Sequence, residues 1–144
     1  VLEMDGLSYF TNIMENKLPY PPINKLIDFI IIEVEKGRIV FSFTPGEQHY
    51  NPMCVVQGGV ICTLLDAAAS CAVHTALPAG TLETTIEFKV NYIKSITKET
   101  GPLSCEGKVL NLGKRIAVCE ANLYDKNQVL YAHGIGTCMI INLP

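Results

Sequence analysis

Charged residues are scarce in this sequence, and those present form no cluster. Asp, Glu, Lys and Arg make up 17% of the 144 residues, and the formal net charge is -3 at pH 7. The 11 Lys and Arg residues are scattered along the chain, whereas a nucleic-acid-binding domain concentrates them on one surface. We therefore expect no nucleic-acid partner.

The sequence also lacks the cysteine pattern of a metal site. None of its six cysteines forms a CxxC pair, and zinc-site spacing is absent. Several cysteines stand among apolar neighbours, where a free thiol behaves as a small hydrophobic group. No basic segment followed by an apolar run opens the sequence, so no signal peptide is predicted. We expect no metal, reduced thiols and a cytoplasmic location.

Apolar residues, in contrast, are abundant. They make up 49% of the sequence, and the mean hydropathy is +0.27. The length is that of one ordinary domain, so residues 1–144 are predicted to form a single domain. This apolar content suggests that another subunit covers part of the surface. Polar residues and glycines interrupt the apolar run over residues 54–77, which predicts a buried helix rather than a membrane span.

Hydrophobic periodicity predicts the order of the secondary-structure elements. Apolar residues at helical spacing from Leu2 to Met14 predict a short amphipathic helix. The prolines of residues 18–23 predict an extended connector after it. Residues 1–23 are therefore expected to precede the main fold. Residues 24–45 predict two strands, and four antiparallel strands follow the long helix. This order predicts an α+β fold in which a curved sheet of about six strands wraps around one long central helix.

Two patterns within the predicted strands bear on the site. Strict alternation places Ile86 and Phe88 on one face of a strand and Thr85 on the opposite face. Small side chains recur on one face of each of the last two strands and predict that a helix or backbone packs very close to the sheet. These residues are Ala117, Cys119, Ala121, Ala132, Gly134 and Gly136.

A single carboxylate, Asp66, lies in the predicted buried helix. It is the only charged residue between Glu47 and Glu83. Because an isolated ionised carboxylate is costly in an apolar interior, Asp66 is expected to be paired, hydrogen-bonded or exposed to a cavity. Two interpretations remain open, a structural Asp bonded to serine or backbone and a catalytic acid.

The residues around this helix resemble a known family. The segment HYNPMCVVQGGVICTLLDAA is similar to the PaaI-like (4-hydroxybenzoyl-CoA thioesterase-related) branch of the hotdog-fold acyl-CoA thioesterases. The pattern of that branch is His-x-Asn-x-x-Gly-x-x-His-Gly-Gly followed by an Asp on the central helix. The matching residues are His49, Asn51, Gly58, Gly59 and Asp66. Two residues depart from the pattern, since Cys54 replaces the first glycine and Gln57 replaces the histidine.

The resemblance implies hydrolysis of acyl-CoA to a free acid and CoA, with no cofactor other than the CoA of the substrate. Unpaired backbone N–H groups at the helix start near Gly58 would stabilise the oxyanion, and Asp66 would act as nucleophile or general base. The other implied catalytic residues are Asn51, Gln57 and Thr85. Asn51 alternatively serves only as a turn residue. The candidate substrate-binding residues are Gly59, Lys114 and Arg115, of which Lys114 and Arg115 would contact CoA phosphates.

One chain is not expected to complete this site. Gly58 and Asp66 are eight residues apart, roughly 12 Å along a helix, so one thioester carbonyl cannot contact both residues of the same helix. The resemblance implies a homodimer at minimum, and a homotetramer as the complete assembly, with the helix start of one subunit facing Asp66 of the other.

Two alternative functions remain open at this point. A non-catalytic acyl-CoA or lipid-binding protein is one, with Gln57 marking lost catalysis. A dehydratase or hydratase of 3-hydroxyacyl thioesters is the other, and it would require His49 and Asp66 to act as a pair.

Overall fold

The computed structural model describes residues 3–144, which form an α+β fold. The α-helices are α1 (Gly6–Met14), α2 (Pro22–Ile27) and α3 (Gly58–His74). The strands are β1 (Phe29–Glu35), β2 (Arg38–Phe43), β3 (Thr81–Tyr92), β4 (Leu103–Leu112), β5 (Ile116–Tyr124) and β6 (Leu130–Asn142). They form one antiparallel six-stranded sheet in the order β1-β2-β4-β5-β6-β3, which confirms the predicted fold class. No helix within residues 3–144 is both long enough and apolar enough to cross a membrane.

Helix α3 lies in the concave side of the sheet and forms the centre of the hydrophobic core. Leu64, Leu65 and Ala68 are fully buried. The closest approach of the helix is to β4, where a Cβ atom at Gly107 would lie 1.9 Å from the backbone oxygen of Ala68. The prediction was made from residues of β5 and β6 instead, and at Gly134 and Gly136 of β6 the nearest atoms belong to the Phe88 side chain. Only a strand position without a side chain allows the helix to come this near.

The N-terminal segment differs in part from the prediction. Helix α1 confirms the amphipathic helix over Gly6–Met14, and Leu2 lies outside the described residues. Residues 22–27, however, form helix α2, so the predicted extended connector was wrong at 22–23 and the predicted strand was wrong at 24–27. Pro22 occupies the first helical position, where its fixed φ angle favours a helix start, and the Asn24 side chain donates to the Phe29 backbone oxygen at 3.2 Å. Strand β1 therefore begins only at Phe29.

A β-bulge in β3 changes which residues face the helix. Thr85 pairs with Cys138 and Glu87 with Thr137, so Ile86 is an extra residue in the ladder. Ile86 points outward and is 53% exposed. The predicted separation of Thr85 from the inward face was wrong, because the bulge shifts the alternation and places Thr85 on the same side as Phe88.

An ion-pair network joins β1, β2 and β4 on the convex face of the sheet. Arg38 donates from Nε to Glu106 and from Nη1 to Glu33, both at 2.7 Å. Burial by itself would raise the pKa of Glu106, but the hydrogen bonds from Lys108 and Arg38 outweigh it and lower the pKa below the ordinary value of 4.5. A lowered pKa means that Glu106 stabilises the fold above about pH 4.5 and that this contribution is lost as the pH falls.

We expect Glu106→Gln to lower the free energy of unfolding by about 1–2 kcal/mol at pH 7 and by less at pH 3.5. Urea unfolding at the two pH values measures this difference. Glu35→Gln is the matched control, since Glu35 contacts the same Arg38 but its side chain is 68% exposed, and its effect should be smaller. An equal loss at both pH values would contradict the ionic origin of the effect.

Candidate active site

The Asp66 carboxylate lies on the side of α3 that faces β3. Its Oδ1 atom accepts a hydrogen bond from the Thr85 hydroxyl at 2.8 Å, and the bulge at Ile86 is what turns Thr85 towards it. The Ser70 hydroxyl donates to the Asp66 backbone oxygen, not to the carboxylate. Among residues 3–144 Thr85 is the only hydrogen-bond donor to this carboxylate. One carboxylate oxygen is therefore left without a protein donor.

The charge of Asp66 is not neutralised by a nearby cation. It takes part in none of the ion pairs formed within the described part of the chain. Burial, followed by the charge of Asp66, raises the pKa of the Cys62 thiol one helical turn away. Burial likewise raises the pKa of Cys71, so both thiols stay protonated at neutral pH. A half-buried carboxylate with one donor and no counter-ion can accept a proton or attack a carbonyl carbon.

The start of α3 presents free backbone donors. Gln57 precedes the helix, its side chain is exposed, and it makes no side-chain cap. Its backbone N–H donates to the His49 oxygen at 2.8 Å. Neither Gly58 nor Gly59 donates its backbone N–H to any acceptor found among residues 3–144. Gly59 is exposed, and no heavy atom lies within 4 Å of where its Cβ would be. A ligand can therefore approach these donors directly.

Tyr92 contacts the same helix start, and it was not predicted as a site residue from the sequence. Its hydroxyl donates to the Gly58 backbone oxygen at 3.0 Å, and its ring lies 3.3 Å from the position of a Gly58 Cβ. The sequence signalled only an aromatic residue at the end of an alternating strand. The contact spans 34 residues of chain, so no local pattern could predict it.

A cleft of about 340 Å³ opens beside the helix start and is lined by Asn51, Gly58, Ile61 and Tyr92, among others. The Asn51 side-chain oxygen accepts from the Met53 backbone N–H at 2.9 Å, which is the turn geometry considered for it. The side-chain NH₂ group of Asn51 is its remaining donor towards a ligand. Turn formation and ligand contact are therefore compatible for this residue.

The predicted site residues fall into two separate groups. Asp66 and Thr85 lie together, and Asn51, Gln57, Gly58 and Gly59 lie together near Tyr92. Thr85 and Tyr92 are separated by roughly 20 Å along β3 at about 3.3 Å per residue. Within one chain the two groups do not meet.

Lys114 and Arg115 lie on the exposed β4–β5 connection, at the Asp66 end of the sheet. The Arg115 backbone oxygen accepts from Ile140 at 2.8 Å, and the adjacent Ile116 pairs with Met139, which itself pairs with Thr84 of β3. They are thus far from Gly58 of the same chain.

His49 occupies a buried position before α3. Its Nδ1 atom accepts from the Gly46 N–H at 3.0 Å, and its ring packs against Phe43 with centroids 5.0 Å apart. His49 forms no hydrogen bond or ion pair with Asp66 among residues 3–144. The geometry gives the dehydratase alternative no support.

An antiparallel sheet of this order wrapped around one central helix is the architecture of the hotdog fold. The model of the Thioesterase superfamily matches residues 54–132. The chain belongs to this superfamily, and hydrolysis of thioesters is its class of activity. The predicted family and fold are thereby confirmed.

Individual relatives agree with this assignment. A protein of Saccharolobus solfataricus with a provisional esterase assignment is 33% identical over 119 residues, 83% of each chain. The 1,4-dihydroxy-2-naphthoyl-CoA hydrolase of Listeria monocytogenes is 25% identical over 118 residues, which is 82% of this chain and 93% of that protein. The fold is shared with the E. coli PaaI protein from the phenylacetic acid degradation operon, with a TM-score of 0.82 at 18% identity over 96% of this chain and 97% of that one.

We expect Gly58→Ala to lower kcat/KM for thioester hydrolysis at least about tenfold, because the new Cβ displaces substrate and Tyr92 from the helix start. The free energy of unfolding should stay the same or rise by up to about 1 kcal/mol, since alanine is the better helix former. Steady-state kinetics and urea unfolding test the two halves of this prediction. Unchanged kinetics would mean that Gly58 serves only the entry of the chain into α3.

Proposed function

We propose that the protein hydrolyses acyl-CoA to a carboxylic acid and CoA. The observation that carries this proposal is the half-buried Asp66 carboxylate, for which Thr85 is the one hydrogen-bond donor and no counter-ion is found among residues 3–144. The N–H groups of Gly58 and Gly59, which have no acceptor within the described part of the chain, supply the complementary function, stabilisation of an oxyanion.

In the proposed reaction the thioester oxygen accepts from the Gly58 N–H while Asp66 lies on the other side of the carbonyl carbon. Asp66 either attacks that carbon, giving an acyl anhydride that water then opens, or removes a proton from a water that attacks it. In both routes the carbon–sulfur bond breaks and CoA leaves as the thiol after gaining a proton. Thr85 positions the carboxylate, and the Gln57 amide can donate to the substrate, although it cannot act as an acid or base.

The two groups of residues come together if two subunits pair along β3. This strand forms one edge of the sheet, and it carries exposed apolar side chains at Ile86 (53%) and Tyr92 (56%). An exposed edge of twelve residues favours pairing with another strand. Antiparallel pairing of two β3 edges would bring Asp66 of one subunit towards Gly58 of the other. We propose this homodimer as the active unit, assembled further into a homotetramer.

Two similar proteins and the positive charges of Lys114 and Arg115 support CoA as part of the substrate. The Listeria relative is named as a CoA-ester hydrolase, and a Streptococcus mutans protein of the same fold was solved bound to acetyl-CoA, with a TM-score of 0.73 at 21% identity over 80% of this chain and 90% of that one. In the proposed dimer Lys114 and Arg115 lie at the Asp66 end and bind the phosphates of CoA. The reaction requires no further cofactor. The six free thiols support our proposal of a cytoplasmic location.

A thiol-release assay over short, medium, long and aryl acyl-CoA esters tests the activity. We expect turnover of at least one ester. Thermal stabilisation by acyl-CoA without release of thiol would instead identify a binding protein, the alternative that the Gln57 substitution favours. A gain of activity in Gln57→His from an inactive parent would support that alternative further.

Mixed dimers test whether two subunits share the site. Asp66→Asn and Gly58→Val are each expected to be inactive, but refolding equal amounts together should restore about a quarter of wild-type activity, because half of the dimers carry one intact site. Refolding each variant alone is the control, and it should restore no hydrolytic activity. A mixture as inactive as its parents would show that each site lies within one chain.

A further inference from the structure

The side chain of Tyr92 ties the start of α3 to the end of β3. Its hydroxyl donates to the Gly58 backbone oxygen at 3.0 Å, and its ring lies 3.3 Å from the position of a Gly58 Cβ. Among residues 3–144 no other side chain hydrogen-bonds to the Gly58 backbone, and Gln57 makes no side-chain cap. The position of the first carbonyl group of the helix therefore depends on Tyr92.

The backbone of Tyr92 is itself held in the sheet. Tyr92 pairs with Ala132 of β6, and the following residue, Ile93, donates its N–H to the Tyr131 oxygen at 2.9 Å. Partial burial raises the pKa of Tyr92 above its ordinary value of 10.0, so the hydroxyl keeps its proton at neutral pH and can donate it to the carbonyl. A donor fixed on a rigid strand thus contacts the helix start.

The carbonyl group that Tyr92 contacts shares a peptide unit with the Gly59 N–H. In a planar trans peptide the C=O and N–H groups point in opposite directions, so holding the Gly58 oxygen fixes the direction of the Gly59 N–H. Two adjacent glycines have the widest choice of φ and ψ, and helix ends fray, so this peptide unit reorients easily without an anchor. Donation to the oxygen also polarises the amide and makes its N–H a stronger donor.

We propose that Tyr92 is a positioning residue for hydrolysis, whose hydroxyl orients the Gly58–Gly59 peptide so that the Gly59 N–H joins the Gly58 N–H as a donor to the thioester oxygen. This inference rests on the proposed function. Neither N–H has an acceptor among residues 3–144, so both are available to a ligand. Donors stabilise an oxyanion most when their direction is fixed before the reaction. Loss of the Tyr92 hydroxyl should therefore weaken stabilisation of the transition state rather than binding of the substrate.

Tyr92→Phe tests this inference, because it removes the hydroxyl and keeps the ring. We expect kcat for the acyl-CoA ester that the wild type hydrolyses fastest to fall at least about fivefold, with KM changed less than about twofold. In protein with isotope-labelled glycines, the NMR order parameter of the Gly59 N–H should also fall. That of Gly107, which is buried against α3, should stay unchanged. Thermal unfolding verifies that the variant folds.

Tyr20→Phe is the matched control, since the Tyr20 hydroxyl also bonds to the backbone, accepting from the Ile31 N–H at 3.1 Å. Ile31 lies in β1, at the opposite edge of the sheet from β3, so kcat and the order parameter of Gly59 should both stay as in the wild type.

Two outcomes would overturn this inference and leave the proposed function standing. One is an unchanged kcat in Tyr92→Phe, whether or not KM rises. The other is a lower kcat with an unchanged order parameter of Gly59, which would show that the hydroxyl acts on the substrate directly. Failure of the wild type to hydrolyse any ester would overturn both the inference and the proposed function.

Discussion

Replacing Asp66 by Asn is expected to lower kcat for thioester hydrolysis at least about 10³-fold, within the range lost with a catalytic base or nucleophile. Asparagine has the same size, and its side-chain oxygen can still accept from Thr85, so the contact at 2.8 Å can persist. The amide is not basic and is a far weaker nucleophile. The substitution thus removes the chemistry proposed for Asp66 while preserving its packing.

Thiol release under saturating substrate measures this loss, and circular dichroism with thermal unfolding verifies the fold. Glu87→Gln is the matched control, because Glu87 is a nearby β3 carboxylate that is exposed and accepts from Thr137 at 3.1 Å. It should retain wild-type turnover. Full activity in Asp66→Asn would show that Asp66 is a structural residue, the interpretation that the sequence left open.

Replacing Gly107 by Ala is expected to cost at least about 3 kcal/mol of unfolding free energy, the upper range for overpacking a core. The added Cβ would lie 1.9 Å from the Ala68 oxygen and 2.2 Å from its carbonyl carbon. These atoms belong to the backbone of α3, so no side-chain rotation can relieve the contact and the helix has to move away from the sheet. Because a domain has only about 5–15 kcal/mol of stability in total, much of the protein should unfold on mild heating.

Urea unfolding of Gly107→Ala measures this loss. Gly59→Ala is the control, since a Cβ there meets no heavy atom within 4 Å and lies within a helix. That variant should be as stable as the wild type or more stable by up to about 1 kcal/mol. A loss below 1 kcal/mol for Gly107→Ala would show that α3 and the sheet separate more easily than their contact indicates.

Local patterns predicted most of the fold but not its irregular positions. Alternation and turn residues indicate strands wherever one face is buried, and they indicated the strands after α3 correctly. They cannot show a bulge, because an extra residue in a ladder depends on the partner strand, and so Thr85 was assigned to the wrong face. Residues 24–27 were predicted as strand because their apolar content suits either structure, and Pro22 together with packing favours the helix.

The candidate site, like the fold, could be predicted only in part from the sequence. The lone Asp66 in an apolar run and the paired glycines before it are visible in the sequence, because burial of a charge is unusual and demands a reason. Tyr92 could not be recognised, since its role depends on a contact across 34 residues. The sequence left the partner of Asp66 open between serine and backbone, and only the bulge in β3 shows that it is the Thr85 hydroxyl.

By itself the sequence determined the fold class, the family, and the placement of one acid in the middle of a buried helix that begins at two glycines. The fold class and the position of the acid follow from composition, periodicity and local spacing, whereas the family follows from the resemblance of the residues around the helix start. Only the tertiary structure decided that Thr85 turns inward to hold Asp66 and that Tyr92 contacts the helix start. Each of these depends on how distant segments meet, and no single segment of chain carries that information.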